Sequence, residues 1–288
     1  MKDFGIDVSR WQGDFNFAEA KAEGVTFVVI KAGGADDGYY RDSQFEANYQ
    51  KAKAAGLKVG CYYFGAAKSQ AQARDEAAHL ISIIKGKRFE YPVFYDVEGS
   101  TAQQPKDVLQ PIFTEFLNSI ESAGYWAGWY AGLETYYWHV DGPSMAARYS
   151  WWLPYWGTSM PALDGIQMWQ FGGSTNFIRS NTIAGVVCDQ DYCFVDYESQ
   201  IKAKGLNGYP KPTPTPTPTP TPKTPKKGDK IKLKSTATIY GEPNQRFFDY
   251  CYNTTYYVRE IDGRRLVFAP KMTGAVTGAV DIDQVTVV

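Results

Sequence analysis

The chain has 288 residues, with 30 basic and 31 acidic side chains, enough for one large domain and one small one. A net charge of -1 gives no electrostatic case for nucleic acid or an anionic membrane surface as partner, and no apolar run reaches the roughly 20 residues a bilayer span needs. Aromatic residues make up 16% of the chain, an excess that fits either a carbohydrate binder, because flat sugar faces stack on Trp and Tyr, or a large aromatic core.

Met1 to Phe4 runs straight into a strand-like segment, with neither a basic start nor an apolar stretch. No signal peptide is legible there, and the mature domain is expected to begin at the first codon. Apolar, strand-like runs follow at Phe4–Val8, Val25–Lys31, Lys58–Phe64, Pro92–Val97, Trp126–Tyr130, Trp151–Tyr155, Ile166–Phe171 and Val186–Cys188. Between the first five, Phe15–Glu23, Ser43–Ala55, Gln70–Ile84 and Pro105–Ala123 carry the apolar spacing of amphipathic helices. Gly24, Gly56 and Gly124 stand where helix C-termini belong. This alternation predicts an α/β fold built on a parallel sheet, and eight strands predict a barrel. The connections after about Trp151 are too short for full helices, so the barrel is expected to be irregular, with fewer helices than a complete (β/α) barrel.

Tyr209 to Lys227 marks the domain boundary. Its Pro-rich run, Pro210 to Pro222, alternates mostly with Thr. Pro has no amide donor and a fixed φ, so neither helix nor ladder can form there. An extended spacer of roughly 50 Å is expected. The division is therefore a barrel over 1–208, a linker over 209–227 and a small all-β module over 228–288. In that module Lys230–Lys234, Thr238–Tyr240, Arg246–Cys251, Tyr256–Glu260, Arg264–Ala269 and Val280–Ile282 read as short strands of a small β-barrel.

The four cysteines, Cys61, Cys188, Cys193 and Cys251, are too few and scattered for a disulfide framework. Cys188 and Cys193 read as small buried thiols, a local pair being the alternative. His79 and His139 lie far apart without metal-ligand spacing, which argues against a zinc amidase. No cofactor or metal site is expected.

Functional groups of a parallel barrel gather at the C-terminal ends of its strands. Four carboxylates fall there: Asp7 in Gly5-Ile6-Asp7-Val8-Ser9, Asp96 and Glu98 in Phe94-Tyr95-Asp96-Val97-Glu98, and Asp189 just after Val187-Cys188. Residues two apart on a strand share a face, so the Asp96 and Glu98 α-carbons are expected about 7 Å apart. Like charges so placed push one pKa up, letting one group stay protonated as an acid while the other stays ionised. Glycoside hydrolysis requires that division of labour. Metal binding by the same acids is the rival reading, and a solvated strand end is the plain one.

Residues 1 to about 202 resemble the glycoside hydrolase family 25 lysozymes, which include phage endolysins and bacterial autolysins. The resemblance rests on Gly5-Ile6-Asp7-Val8-Ser9 with Trp11-Gln12, Gly60-Cys61-Tyr62-Tyr63-Phe64, Asp96-Val97-Glu98, Trp169-Gln170 and Val187-Cys188-Asp189. It implies hydrolysis, with retention, of the β-1,4 bond between N-acetylmuramic acid and N-acetylglucosamine of bacterial peptidoglycan. By position it implies Glu98 as acid/base, Asp96 facing the reacting sugar, and Asp7 and Asp189 completing the acidic cluster. Tyr62, Tyr130, Trp156 and Gln170 are the implied substrate-binding residues. Two departures stand out: Pro154 and Trp156 in Trp152-Leu153-Pro154-Tyr155-Trp156, where the family commonly has Ala and Tyr, and Tyr63, where His is frequent. Asp96 either attacks the anomeric carbon or orients the substrate's 2-acetamido group to attack; the second is the preferred reading.

The 228–288 module resembles bacterial SH3-type wall-binding domains through its strand spacing, Gly263-Arg264-Arg265 and its place behind a linker. Its aromatics are read mainly as core, and self-association through its strand edges is the competing role. A chitinase-like barrel would need Asp where Phe94 stands, and Cys61 with His79 makes no convincing peptidase pair. A non-catalytic wall binder on the same fold is the rival from another class, and a bacterial autolysin the rival to a phage endolysin. The missing leader favours the endolysin, made in the host cytoplasm and acting on the wall.

Overall fold

In the computed structural model, residues 2–211 and 223–288 are described; the Pro/Thr run falls mostly on 212–222, outside them. The chain divides into two units, Met1–Thr213 and Pro214–Val288.

Strand alternation builds the first unit. β1 (Asp3–Val8), β2 (Phe27–Gly34), β3 (Lys58–Phe64), β4 (Val93–Asp96), β5 (Ala127–Tyr130), β6 (Ser150–Pro154) and β7 (Ile166–Gly172) run parallel, each beside the next. β8 (Asp189–Cys193) closes the ring, antiparallel to both β7 and β1. The eighth strand thus differs from expectation in position and direction. Val186–Val187 instead makes a two-stranded ribbon with Thr182–Ile183. Because β8 is reversed, its N-terminal end opens at the mouth where the parallel strands finish. Asp189 therefore stands at the beginning of a strand and still faces that mouth.

Helices α1 (Phe17–Ala22), α2 (Phe45–Ala54), α3 (Gln70–Ile84) and α4 (Lys106–Ser122) fill the first four connections, and α5 (Gly142–Arg148) precedes β6. No helix links β6 to β7, and α6 (Tyr197–Lys204) follows β8. Gly24, Gly56 and Gly124 have φ of 97°, 70° and 86°, the left-handed geometry that lets a chain leave a helix at no side-chain cost.

Outward-facing strand residues such as Ile6, Val28, Ile30, Val59 and Tyr95 pack against the helices. Inward-facing Phe27, Val29, Phe94, Tyr130, Trp152 and Met168 fill the barrel. Glycine makes room for the rings: a Cβ on Gly5 would lie 2.3 Å from the Phe27 ring, and one on Gly128 2.5 Å from that of Phe94.

The second unit is an antiparallel sheet with its own core, including Ile231, Tyr256, Val258, Leu266, Phe268 and Val280. Its strands are β9 (Lys230–Leu233), β10 (Tyr256–Asp262), β11 (Arg265–Ala269), β12 (Gly278–Asp281) and β13 (Val285–Val287), in spatial order β12-β11-β10-β9-β13. The strand expected at Arg246–Cys251 is absent: Glu242–Arg246 pairs with Thr238–Ile239, and Asp249–Tyr252 forms a helical turn. Tyr252 imposes that turn, its hydroxyl donating to the Ala237 carbonyl at 2.8 Å and accepting from Phe247 N at 3.0 Å.

Candidate active site

The upper layer of the barrel is polar because its inward residues are. Asp7 lies late in β1, Lys31 in β2 and Tyr62 in β3, Asp96 and Tyr130 end β4 and β5, and Gln170 and Asp189 arrive from β7 and β8. With Phe64, Glu98 and Trp152 they line a cleft of about 140 Å³. A second cleft, of about 370 Å³, is lined by Val97, Gly99, Glu134 and Pro154 among others, and it shares Glu98 and Tyr130 with the first. Those two side chains stand on the boundary between the clefts.

The structure brings together every residue singled out in the sequence except Trp156, which does not line the cleft and bonds to Gln170 at its edge. Asp96 is 6% exposed and its Oδ1 is buried with no hydrogen-bond donor. Glu98 follows in extended backbone, φ -130° and ψ 177°, ahead of the one-turn helix Gly99–Ala102. Its side chain does not cap that turn and is exposed. The two carboxylates thus share a face with opposite surroundings, one buried and one open.

Gln170 sets the other side. Its Oε1 accepts from the Tyr130 hydroxyl and from Trp156 Nε1, each at 3.0 Å. Two donors on the oxygen fix which way the amide points, so Nε2 is left to donate to Asp7 Oδ2, at 2.9 Å. Asp7 and Asp189 are cross-strand partners. Gly173 follows β7, and a Cβ there would lie 1.8 Å from Asp189 Oδ1, so only glycine leaves that carboxylate its place.

Burial pushes the Asp96 carboxyl well above the usual range, with the Glu98 charge adding to it and Lys31 opposing it. Asp7 is raised by burial and then by Asp189 and Asp191. Asp189 is pushed up to about 6 by burial and the Glu98 charge. Burial and the acids also raise the Tyr62 and Tyr130 phenols, keeping them neutral donors.

Two cleft residues, Lys31 and Trp152, and Asp191 beneath them escape a sequence reading. Lys31, with its ammonium 4.5 Å from the Phe64 ring centre, is the cation beside Asp96. Trp152 is buried, and its Nε1 donates to Asp191 Oδ1 at 2.8 Å. Asp191 is wholly buried. The signal for it was two residues past Asp189 on the same strand face, a relation visible only with β8 in its true position.

His79 and His139 lie outside the cleft, bonded to the Tyr63 hydroxyl and the Gln104 carbonyl, each at 2.8 Å. The four cysteines are buried and unpaired. Among the described residues no group of three His, Cys, Asp or Glu is arranged to hold a metal ion, and no helix is long and apolar enough to cross a membrane.

Residues 6–179 match the family described as Glycosyl hydrolases family 25. The chain belongs to that family. It is 30% identical over 199 residues to Lysozyme M1 of Streptomyces globisporus, covering 65% of each chain. It is 32% identical over 115 residues to the autolytic lysozyme of Clostridium acetobutylicum, covering 39% of this chain and 34% of that one. The aligned stretches thus span less than two thirds of these relatives. Among solved structures, the CTP1L endolysin superposes with a TM-score of 0.60 at 23% identity, covering 70% of each chain. The bacterial lysozyme from Streptomyces coelicolor gives 0.57 at 23% identity, covering 72% of this chain and 97% of that one. Both are alike in fold. The family 25 barrel expected from the sequence is therefore the barrel observed.

Proposed function

We propose that the barrel unit is a muramidase, hydrolysing the β-1,4 bond between N-acetylmuramic acid and N-acetylglucosamine of bacterial peptidoglycan, with Glu98 as its acid/base. The observation that carries the reading is the position of Glu98 on the boundary between two clefts. A general acid has to reach the oxygen that joins the sugars on either side of the broken bond. Family membership and the lysozyme names of its relatives support the same chemistry.

In this reading the muramic acid ring occupies the acidic cleft. Glu98 gives its proton to the departing glycosidic oxygen. The 2-acetamido oxygen attacks the anomeric carbon from the opposite face, while Asp96 accepts the acetamido N–H. Water then attacks the anomeric carbon, breaking its bond to the acetamido oxygen, and returns a proton to Glu98, so configuration is retained. The acceptor without a donor on Asp96 favours this role over direct attack, because an amide N–H would satisfy it and favour the ionised form against the burial that raises this carboxyl. Asp7 and Asp189 complete the acidic cluster, and Tyr62, Tyr130, Trp156 and Gln170 position the sugar. The second unit is assigned to wall binding, on a small β-fold of SH3 type. The site of action is the cell wall, for an endolysin or an autolysin alike.

The test is lysis of purified walls by wild type and Glu98→Gln. A neutral amide cannot donate the proton, so a loss of about 10²- to 10⁴-fold is expected. New reducing ends are expected on N-acetylmuramic acid. Lysis by E98Q at the parent rate, reducing ends on N-acetylglucosamine, or new amino termini would each overturn the reading.

A further inference from the structure

Lys31 is the one cation among the residues lining the acidic cleft, in the company of Asp7, Asp96, Glu98 and Asp189. Its ammonium nevertheless makes no ion pair among the described residues. Strand geometry sets its place. Lys31 of β2 pairs with Tyr62 of β3 and Gly33 with Tyr63, so Ala32 is an extra residue on the β2 side. A bulge of this kind bends a strand and re-aims its side chains. Gly33 and Gly34 then let the short Tyr40–Arg41 strand fold back onto β2. A Cβ on Gly33 would lie 2.2 Å from the Tyr40 carbonyl oxygen, and one on Gly34 2.6 Å from the Tyr40 hydroxyl. That hydroxyl donates to Asp36 Oδ1 at 2.9 Å, which pins the ring. The Lys31 ammonium ends within a cage of rings, 4.5 Å from the centre of Phe64, 5.8 Å from Tyr40 and 5.9 Å from Tyr62. Ring faces attract a cation but bring no countercharge. The cage therefore fixes the ammonium and leaves its charge free to act on the carboxylates. Phe64 is the cross-strand neighbour of Asp96, so the charge is held beside that carboxyl.

We propose that Lys31 is a positioning residue whose caged, unpaired ammonium holds Asp96 as a carboxylate, ready to accept the acetamido N–H of the substrate. The need for such a cation follows from the surroundings of Asp96. Burial and the Glu98 charge both favour its protonated form, and a protonated oxygen facing the acetamido group would no longer be a pure acceptor. The titratable groups around Asp96 are Glu98 just beyond its own strand, Lys31 on β2 and Asp36 after it, Tyr62 on β3, Tyr130 on β5 and Asp7 on β1, with Asp189 of β8 in the same cleft. Lys31 alone among them favours the ionised form. Its neighbours in the cleft from β6 and β7, Trp152 and Gln170, do not titrate.

The inference rests on the muramidase reading for its catalytic meaning, but half of its test needs no activity. With aspartate labelled by carbon-13 at the side-chain carboxyl, the NMR signal of Asp96 is the one missing from Asp96→Asn, and its shift against pH reports the ionisation of that group. In Lys31→Met the midpoint is expected to move to higher pH, because burial and Glu98 then act without their main opponent. Lys31→Gln, neutral but polar, is expected to move it the same way, and Lys31→Arg to leave it near that of wild type. The kinetic half follows kcat/KM on soluble glycan. Its acid limb reports the group that must be ionised in the free enzyme. That limb is expected at higher pH in the Met and Gln variants, with about a tenfold loss on it for each pH unit of movement, and back in place in the Arg variant. A midpoint unmoved by Met and Gln, or moved as far by Arg, would overturn the proposal. So would a loss confined to KM with the limb in place, which would give Lys31 to the sugar instead. If wild type cuts no glycan, the muramidase reading fails, while the NMR titration still decides whether Lys31 holds Asp96 ionised.

Discussion

Gln170 Nε2 donates to Asp7 Oδ2 at 2.9 Å, joining β7 to β1 across β8, the strand between them. The bond ties the first strand of the barrel to the seventh, 163 residues later, and it closes the polar layer just where the strand direction reverses.

Gln170→Leu is similar in size and removes all three hydrogen bonds of the amide. Asp7 loses a donor, and Tyr130 and Trp156 lose their acceptor. Leaving buried polar groups unpaired costs about 1–3 kcal/mol each, and Tyr130 and Asp7 are the buried ones. A fall in kcat of about 10- to 100-fold is expected, since about 1–3 kcal/mol of lost orientation converts to that range. Steady-state kinetics on soluble glycan check it, with circular dichroism confirming that the barrel is folded.

Asp189 carries a pH signature. Its folded pKa is raised to about 6, above the roughly 3.9 of an unfolded Asp. Between the two values the folded state binds more protons, so stability falls as pH rises, and the deficit is fully developed above the folded value. Asp189→Asn is expected to melt with wild type at low pH and to gain on it between about pH 4 and pH 6, then level off. Calorimetry across that window checks the sign, and a variant that loses stability as pH rises would contradict it.

Much of this molecule is legible before folding, and the misses have physical causes. The first seven strands announce themselves because their outward faces are apolar: Ile6, Val28, Val59 and Tyr95 all pack under helices. β8 does not, because Asp189 and Asp191 on its inward face belong to the polar layer. An apolar scan stops on Val186-Val187-Cys188 instead, which places the strand too early and hides Asp191. Lys31 was hidden inside an apolar run that reads as core, and nothing in Phe27–Lys31 distinguishes its inward end from its buried middle. In the second unit Phe247-Phe248 and Tyr250 look like strand, yet Phe248 is 77% exposed and Tyr250 65%. The Tyr252 hydroxyl, bonded across to Ala237, decided the turn through a contact that local composition does not encode.

Far from the mouth, Asn207 seals the lower end of the barrel. It is fully buried at φ 53°, a left-handed geometry that Asn tolerates better than most residues. Its side chain donates to the Tyr91 carbonyl at 2.8 Å and accepts from Trp126 N at 2.7 Å. Its backbone pairs with Gly124 and Phe89. Asn207→Ala leaves a buried carbonyl and a part-buried amide unpaired and puts a residue less tolerant of left-handed backbone at that φ, so a loss of about 2–5 kcal/mol is expected. Because the site is at the opposite end, kcat at a temperature where the variant is folded is expected to match wild type. A reduced kcat with unchanged melting would reverse the argument.

If the second unit binds the wall as proposed, removing Lys227–Val288 is expected to separate chemistry from targeting. Each unit has its own core among the described residues: that of the second runs from Ile231 to Val285, and the barrel's runs from Phe4 to Ile201. The shortened chain is therefore expected to keep its melting temperature and to cut soluble glycan fragments at the parental kcat. Lysis of intact cells is a different matter. A second site that holds the wall raises the effective concentration of substrate at the first, a gain of about 10²- to 10⁴-fold when both can engage. The truncated enzyme is expected to lyse cells more slowly, and the deficit is expected to shrink as enzyme concentration rises, because tethering alters encounter and not the chemical step. A fluorescent fusion of 227–288 should then decorate cell walls and elute as a monomer. A fusion that leaves walls bare but elutes as an oligomer would transfer the role of this unit from anchoring to self-association.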